Sequence, residues 1–326
     1  MSELQRFLFD GAPVRGALVR LTEDWRALLQ RREQTGGYAA PVSALLGEMT
    51  AAAVLLHTNI KFAGALVLQI LGDGPVKVAV AEVQPDLAFR ATASVVGEVA
   101  PDAPLADMVN VLGQGRCAIT LDPRQQQPGL KPYQGVVPLI DDHGQRLPTL
   151  AAMLEHYMHR SEQLDTRLVL AADERVAAGL LIQRMPTSGQ GNLAGTAAGR
   201  GRADETDGDE DFRRIAWLAA SLKREELLNL QGDAILHRLF WQERLLRLVP
   251  QGAAVVPHFA CTCSRERVAS MLRGLGVQEV EAILAEQGEV DVACEFCGQR
   301  YRFDPVDAAR LFLEPAQQGP GSQRLH

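Results

Sequence analysis

Cys261-Thr262-Cys263 and Cys294-Glu295-Phe296-Cys297 carry most of what this sequence says about its fold and chemistry. Thirty residues separate Cys263 from Cys294. Four thiols in two close pairs predict a small module folded around a tetrahedral, all-thiolate zinc site, with one Zn2+ per chain while the cysteines are reduced. Four protein ligands leave no open coordination position. Such a metal cannot easily activate water, which argues against a hydrolytic centre. The ion is then either a permanent staple or a removable lock.

The two half-motifs differ. A C-x-x-C followed by Gly298 is an ordinary zinc knuckle, because glycine tolerates a left-handed backbone and lets main-chain N–H groups turn toward sulfur. C-x-C is less usual as half of a staple. One residue lies between its sulfurs, so a disulfide there would close a small, strained ring, and strained disulfides are the labile, regulatory kind. Arg265 and Arg267 follow at once, and positive charge near a thiol favours the reactive thiolate. Spacing alone leaves the staple and the redox switch equally open.

The bulk of the chain narrows the class. With 326 residues, 47% of them hydrophobic and 22% charged, it reads as a soluble globular protein of one large domain and one or two small ones. The formal net charge is −7, and residues 257–314 hold six Arg, no Lys and ten Asp or Glu. A nucleic-acid-binding zinc module should be basic. The opening Met1-Ser2-Glu3-Leu4-Gln5-Arg6 is polar and lacks a following apolar core, so no signal peptide is expected. No apolar run of about 18 residues suggests a spanning helix. Five cysteines are too few for a secreted disulfide framework. These features lead us to expect a cytoplasmic protein with neither nucleic acid nor membrane as partner. The fifth cysteine, Cys117, lies in a strand-like run and reads as a buried, inert thiol.

Hydrophobic patterning predicts an α+β fold: a helix-covered, largely antiparallel sheet domain over 1–187 and a small C-terminal zinc-binding α+β module over 257–314. Strands are expected at Val14–Leu21, Gly64–Leu71, Val76–Val83, Leu87–Val96, Cys117–Leu121, Gly135–Ile140, Arg167–Ala172 and Ala178–Gln183. Helices are expected at Val42–His57, Leu105–Leu112 and Pro148–Glu162, with a turn at Gly72-Asp73-Gly74-Pro75. Composition then changes. Residues 188–211 are rich in Gly and end in Asp204, Glu205, Asp207, Asp209, Glu210 and Asp211, which reads as a flexible, solvated linker. Residues 212–250 read as amphipathic helices, with Ile215, Leu218 and Leu222, then Ile235, Leu236, Leu239, Phe240, Leu245 and Leu246, at helical spacing. Such helices need a surface to cover. Lying between a linker and a metal site, they are expected to be metastable, and Trp217 and Trp241 to become wetted if they come loose. Residues 315–326 read as a disordered tail.

In the module, helices are expected at Arg265–Arg273 and Val277–Gln287 and after an Asp304 cap, with strands at Glu289–Ala293 and Tyr301-Arg302-Phe303. Metal binding contributes roughly 10–16 kcal/mol in small zinc modules, more than the about 3–5 kcal/mol of net stability typical at this size. Loss of the metal should therefore unfold it. Weaker candidates are His156 and His159 at i, i+3 beside Glu155, and His258 as a substitute for one thiolate; both patterns are commoner in solvated histidines. No nucleophile elbow, zinc-protease helix or phosphate-binding loop is present.

Cys261-Thr262-Cys263-Ser264-Arg265-Glu266-Arg267, Cys294-Glu295-Phe296-Cys297-Gly298 and Tyr301 are similar to the zinc module of the heat shock protein 33 family of redox-regulated holdase chaperones. The resemblance covers nearly the whole chain. It includes Arg6-Phe7-Leu8-Phe9, Val14-Arg15-Gly16, Gln69-Ile70-Leu71-Gly72-Asp73-Gly74-Pro75, Tyr133-Gln134-Gly135-Val136-Val137, Ser161-Glu162-Gln163-Leu164 and Ala178-Gly179-Leu180-Leu181-Ile182-Gln183-Arg184-Met185-Pro186. The chain departs from it in the longer Ser188–Asp211 stretch. The resemblance implies one zinc on four thiolates in a reduced, inactive form. It implies oxidation to Cys261–Cys263 and Cys294–Cys297 disulfides, metal loss, unfolding of the module and destabilisation of the adjoining helices. It implies a non-enzymatic, ATP-independent chaperone, a homodimer when active, whose partners are unfolding client proteins. Phe212, Ile215, Trp217, Leu218, Leu222, Leu239, Phe240 and Trp241 are then the candidate client contacts. Two other classes remain: a constitutive zinc-stapled module binding RNA or a protein, and a thiol-disulfide oxidoreductase, which would need its C-x-x-C at a helix N-terminus.

Overall fold

The computed structural model describes residues 2–60, 62–123, 132–185, 201–248 and 255–313, with side chains of the helix that opens at Gly201 described from Gly208 onward. The chain divides into two units, Met1–Ala260 and Cys261 onward.

The first unit holds two sheets. One runs in the order Leu245–Arg247 (β10), Glu3–Phe9 (β1), Val14–Leu21 (β2), Ala177–Arg184 (β9) and Thr166–Ala172 (β8), with every neighbouring pair antiparallel. The other runs His258–Phe259 (β11), Ala88–Val95 (β5), Val76–Val83 (β4), Gly64–Leu71 (β3), Arg116–Pro123 (β6) and Tyr133–Pro138 (β7). Its pairs are antiparallel except β11–β5. The expectation of a largely antiparallel α+β fold holds, in two sheets rather than one.

Helix Ala40–Asn59 (α2) explains how two sheets share a core. It touches strands of both sheets, and thirteen of its twenty residues are buried. Sequence reading found no stretch suited to a membrane span, yet α2 is long and apolar enough by length and composition. Its hydropathy is accounted for here by burial between two sheets. Trp25 and Leu28 of helix Glu23–Glu33 (α1) and Met153, Leu154 and Tyr157 of Leu150–Ser161 (α4) join this core. Strand β9 shows why a second layer is needed. Its run Ala177-Ala178-Gly179-Leu180-Leu181-Ile182 carries no polar side chain, and strand side chains alternate between faces. Ala177 and Leu181 face the α2 core; Ala178, Leu180 and Ile182 face the other way and are equally buried.

The cover for that second face is the segment expected to be helical. Gly201–Ala220 (α5), Arg224–Asn229 (α6) and Gly232–Phe240 (α7) lay Ile215, Ala219, Leu222, Leu227, Leu228, Ile235, Leu236, Leu239 and Phe240 onto Phe7, Phe9, Leu18 and Leu180. Gly16 makes room for this layer: a Cβ there would lie 2.2 Å from the Phe7 ring. Polar contacts lace the same seam. Buried Arg20 donates to the Leu228 carbonyl (2.8 Å), the Gly232 amide donates to Glu3 (3.0 Å), and Arg224 donates to the Ala172 carbonyl.

Several expectations are corrected. Helix α5 begins at Gly201, so the acidic end of the expected flexible linker is helical; Asp209 pairs with Arg184, Asp211 with Arg214 at 2.9 Å, and Gly208 is buried against Pro13. Residues 188–200 and the expected tail 315–326 lie outside the described residues. The 212–250 segment is not wholly helical, because β10 adds to the edge of β1. Residues 257–260, assigned from sequence to the zinc module, belong to the first unit, where β11 pairs with β5. The expected helix 105–112 is shorter, Leu105–Val109 (α3).

The second unit contains Arg265–Leu275 (α8), Val277–Gln287 (α9), the hairpin Val290–Ala293 (β12) with Arg300–Phe303 (β13), and Pro305–Leu311 (α10). Ser264 and Asp304 cap α8 and α10, accepting from the amides of Arg267 and Asp307. The core is small: Ala269, Leu272, Val280, Val290, Phe303 and Ala308.

Candidate metal centre

The four sulfurs of Cys261, Cys263, Cys294 and Cys297 all lie within 4.8 Å of one another. Cys261–Cys294 measures 3.7 Å and Cys263–Cys297 3.4 Å between sulfurs. Zn–S bonds of about 2.3 Å around a tetrahedron put sulfurs about 3.8 Å apart, whereas a disulfide needs about 2.05 Å. The thiols are free and spaced for a shared ion. Both of these approaches run across the two motifs.

Local structure explains the gathering. Cys294 closes β12, its amide bonds to the Gln299 carbonyl at 2.9 Å, and the Gly298 amide returns to the Cys294 carbonyl at 2.7 Å. Gly298 takes φ 69°, the left-handed conformation the knuckle requires. Cys263 immediately precedes Ser264, the cap of α8, which fixes where its sulfur leaves the chain. Tyr301 on β13 donates its hydroxyl to Cys263 Sγ at 3.1 Å, and that bond raises the phenol above its usual range. Burial first, then the adjoining Cys263 and Cys261 sulfurs, push the Cys297 thiol up. Four crowded sulfurs resist ionising together unless a cation sits among them, so the donor set fits a soft divalent metal.

Arg265, beside the first motif, is engaged. Arg265 donates to Asp307 (2.6 Å) and to the Arg302 carbonyl (2.7 Å), and its guanidinium lies over the Phe303 ring. Arg300 and Arg302 both pair with Asp291. Arg265 and Arg267 both read from sequence as charges beside the thiols; the structure uses Arg265 to tie the start of α8 to β13 and α10, while the Arg267 amide serves the Ser264 cap. The C-x-x-C does not open a helix, since β13 separates it from α10.

The other candidates fall away from the centre. His156 faces Asp142 at 3.8 Å, His159 faces Asp165 at 3.3 Å, and the His258 ring meets the Val256 carbonyl. Cys117 is fully buried on β6, with its thiol pushed up to about 12. In the helical segment, Ile215, Leu222, Leu239 and Phe240 are buried, and Phe212 and Leu218 partly so. The tryptophans are different. Trp217 is 81% and Trp241 67% exposed while the helices are docked. They are already wet with the helices in place, contrary to the expectation that release would wet them. The buried indole is Trp25, which donates to the Asp173 carbonyl at 2.8 Å.

Residues 2–304 match the family model described as Hsp33 protein. The chain is 45% identical over 311 residues to a 33 kDa chaperonin of Chromobacterium violaceum, covering 95% of this chain and 93% of that protein. It is 42% identical to the 33 kDa chaperonin of Methylobacillus flagellatus (95% and 94%) and 38% identical to that of Shewanella woodyi (95% and 95%). The crystal structure of a 33 kDa chaperonin from Thermotoga maritima superposes with a TM-score of 0.69 at 20% identity, over 94% of this chain and 97% of that one.

Proposed function

We propose that this chain, which belongs to the Hsp33 family of chaperones, is a redox-regulated, ATP-independent holdase whose four-cysteine centre is a zinc-held lock. The observation that carries the reading is the convergence of four free sulfurs within 4.8 Å in a unit whose own core is six residues. Cys261, Cys263, Cys294 and Cys297 would hold the ion, which when bound offsets the mutual repulsion of four thiolates. Each neighbouring dithiol loses two electrons and two protons to peroxide, which ends as water, forming Cys261–Cys263 and Cys294–Cys297. With its sulfurs paired, the donor set no longer offers a metal four thiolates, and the small unit loses its main source of stability.

The remaining steps follow from the seam described above. Helices α5–α7 cover an apolar sheet face that cannot stay bare, so their release exposes Ile215, Leu218, Leu222, Leu239 and Phe240 together with Phe7, Phe9 and Leu180. That is a binding surface for apolar segments of unfolding proteins. Trp217 and Trp241 extend it from the outer side. The protein acts without catalysis, in the cytoplasm, as a homodimer when active, and needs neither nucleic acid nor membrane. Peroxide treatment with mild warming tests this: zinc release, disulfides mapped within each motif and a gain of aggregation suppression should arrive together. Disulfides chiefly between Cys261 and Cys294, or between Cys263 and Cys297, would contradict the pairing. Suppression unchanged by oxidation would reduce the centre to a staple.

A further inference from the structure

Strand β11 is an unusual guest on the second sheet. It is two residues long and forms the parallel pair of that sheet, His258 opposite Ala88 and Phe259 opposite Phe89. It is bound as an added peptide would be. The His258 amide donates to the Leu87 carbonyl (3.2 Å) and the Ala260 amide to the Phe89 carbonyl (3.1 Å), while the Phe259 amide donates to Asp24 of α1 (3.2 Å). The Phe259 ring lies 6.4 Å from fully buried Phe89. Further along β5, the Tyr38 hydroxyl takes the Ala93 amide (2.9 Å) and donates to the Ala93 carbonyl (3.2 Å). The groove is thus bounded: Asp24 and β5 form its walls, Phe89 its floor and Tyr38 its far end.

The segment seated there, Pro257-His258-Phe259-Ala260, and the exposed Val255-Val256 that lead into it bear no acidic or basic side chain besides His258. Extended, apolar and aromatic, it has the chemistry an unfolding protein presents. Cys261, the first sulfur of the centre, follows Ala260 directly, so unwinding of the thiol motif reaches β11 through one peptide bond. We propose that the β5 edge from Leu87 to Ala91, short of the Tyr38 cap on Ala93, is a client-binding groove for extended, aromatic-bearing segments of unfolding polypeptides, filled at rest by Pro257–Ala260 as an internal stand-in. This rests on the holdase reading and adds to it a main-chain mode of capture. Strand addition recognises backbone, which every unfolded chain shares, and the Phe89 floor selects for an aromatic residue. A tethered occupant competes at high effective concentration. If it is docked more than nine-tenths of the time, its release strengthens binding of an outside peptide by about tenfold or more.

The test uses the full chain, reduced with zinc and after peroxide oxidation. Each form is titrated with a fluorescein-labelled hexapeptide of residues 255–260 and with the same peptide carrying alanine at the Phe259 position. Deuterium exchange over 87–91 and aggregation suppression are read on the same samples. The oxidised form should bind the aromatic peptide at least about tenfold more tightly than the reduced form, bind the alanine peptide weakly, and gain protection over 87–91. The full-length F259A variant, reduced and zinc-loaded, should gain the same binding. Equal binding by reduced and oxidised protein, indifference to the aromatic residue, or protection elsewhere would overturn the groove while leaving the holdase reading intact if aggregation is still suppressed. Oxidised protein that suppresses no aggregation would overturn both.

Discussion

Phe240→Ala separates the helical cover from the rest of the fold. The Phe240 ring is 2% exposed, sits edge-on to Phe9 with centroids 5.0 Å apart, and is tilted against Phe7 at 6.3 Å. Truncating a buried phenylalanine costs about 3–5 kcal/mol, which at about 1.4 kcal/mol per tenfold shifts the docking equilibrium by roughly a hundred- to several-thousand-fold. The ring belongs to the cluster between the first sheet and α5–α7, not to the core around α2, so the loss should fall on docking. Hydrogen exchange of the reduced, zinc-loaded variant should speed up by about a hundredfold or more across 215–240 and leave α2 and β9 protected. Light scattering with a heat-labile reporter enzyme should show aggregation suppression without oxidant. Buried Trp25 supplies the control, since its emission should stay unchanged. Exchange unaltered in α5–α7 would show that Phe240 does not govern docking of the cover on its own. Acceleration equal in α2 and β9 would mean that the seam and the α2 core melt as one.

Each of Cys261→Ser, Cys263→Ser, Cys294→Ser and Cys297→Ser should weaken zinc binding by orders of magnitude in chelator competition, while Cys117→Ser should not; full affinity in any of the four would break the four-ligand assignment. Tyr301→Phe removes the hydroxyl that donates to Cys263 Sγ, a charge-assisted bond worth about 1.5–3 kcal/mol once the sulfur is ionised, and should speed peroxide-driven zinc release by about tenfold, read with a zinc-sensitive dye. The Glu48 carboxyl on α2 is pushed up to about 7 by burial, offset in part by the Arg224 guanidinium 3.8 Å away on α6. Its folded pKa exceeds the unfolded value of 4.5, so the folded state keeps a proton that the unfolded chain gives up. Stability should fall as pH rises from about 4.5 to 7 and level off above. Glu48→Gln should flatten that slope and raise stability at pH 8 by up to about 3 kcal/mol in urea denaturation; a variant less stable at pH 8 would show that Arg224 outweighs burial.

The four-cysteine cluster was legible because its signal is local. Two short motifs bring four thiols together, and the knuckle glycine, the Ser264 and Asp304 caps and the flanking hairpin all sit within a few residues of them. The strands from Val14 to Gln183 were legible by alternation and by turn residues such as Gly72-Asp73-Gly74-Pro75. What escaped depends on partners distant in sequence. Nothing in Leu245-Leu246-Arg247 announces a strand; it becomes one because β1 offers an edge. His258-Phe259 is likewise a strand only against β5. The acidic stretch read as solvated linker because charge runs usually are, yet Arg184 and Arg214 supply partners that composition cannot display. The tryptophans were misjudged for a related reason: helical spacing marks which residues share a face, and Trp217 stands off the buried face that Ile215, Leu218 and Leu222 define.

Zinc content and aggregation suppression, measured on one sample before and after peroxide at mildly elevated temperature, decide between a zinc-held lock and a permanent staple. The reduced protein should hold one zinc per chain and suppress aggregation little. After oxidation it should release that zinc stoichiometrically and suppress aggregation strongly on the same time course, both reversed by dithiothreitol with zinc restored. Strong suppression by the zinc-loaded protein, or complete zinc loss with no gain in suppression, would rule out the lock.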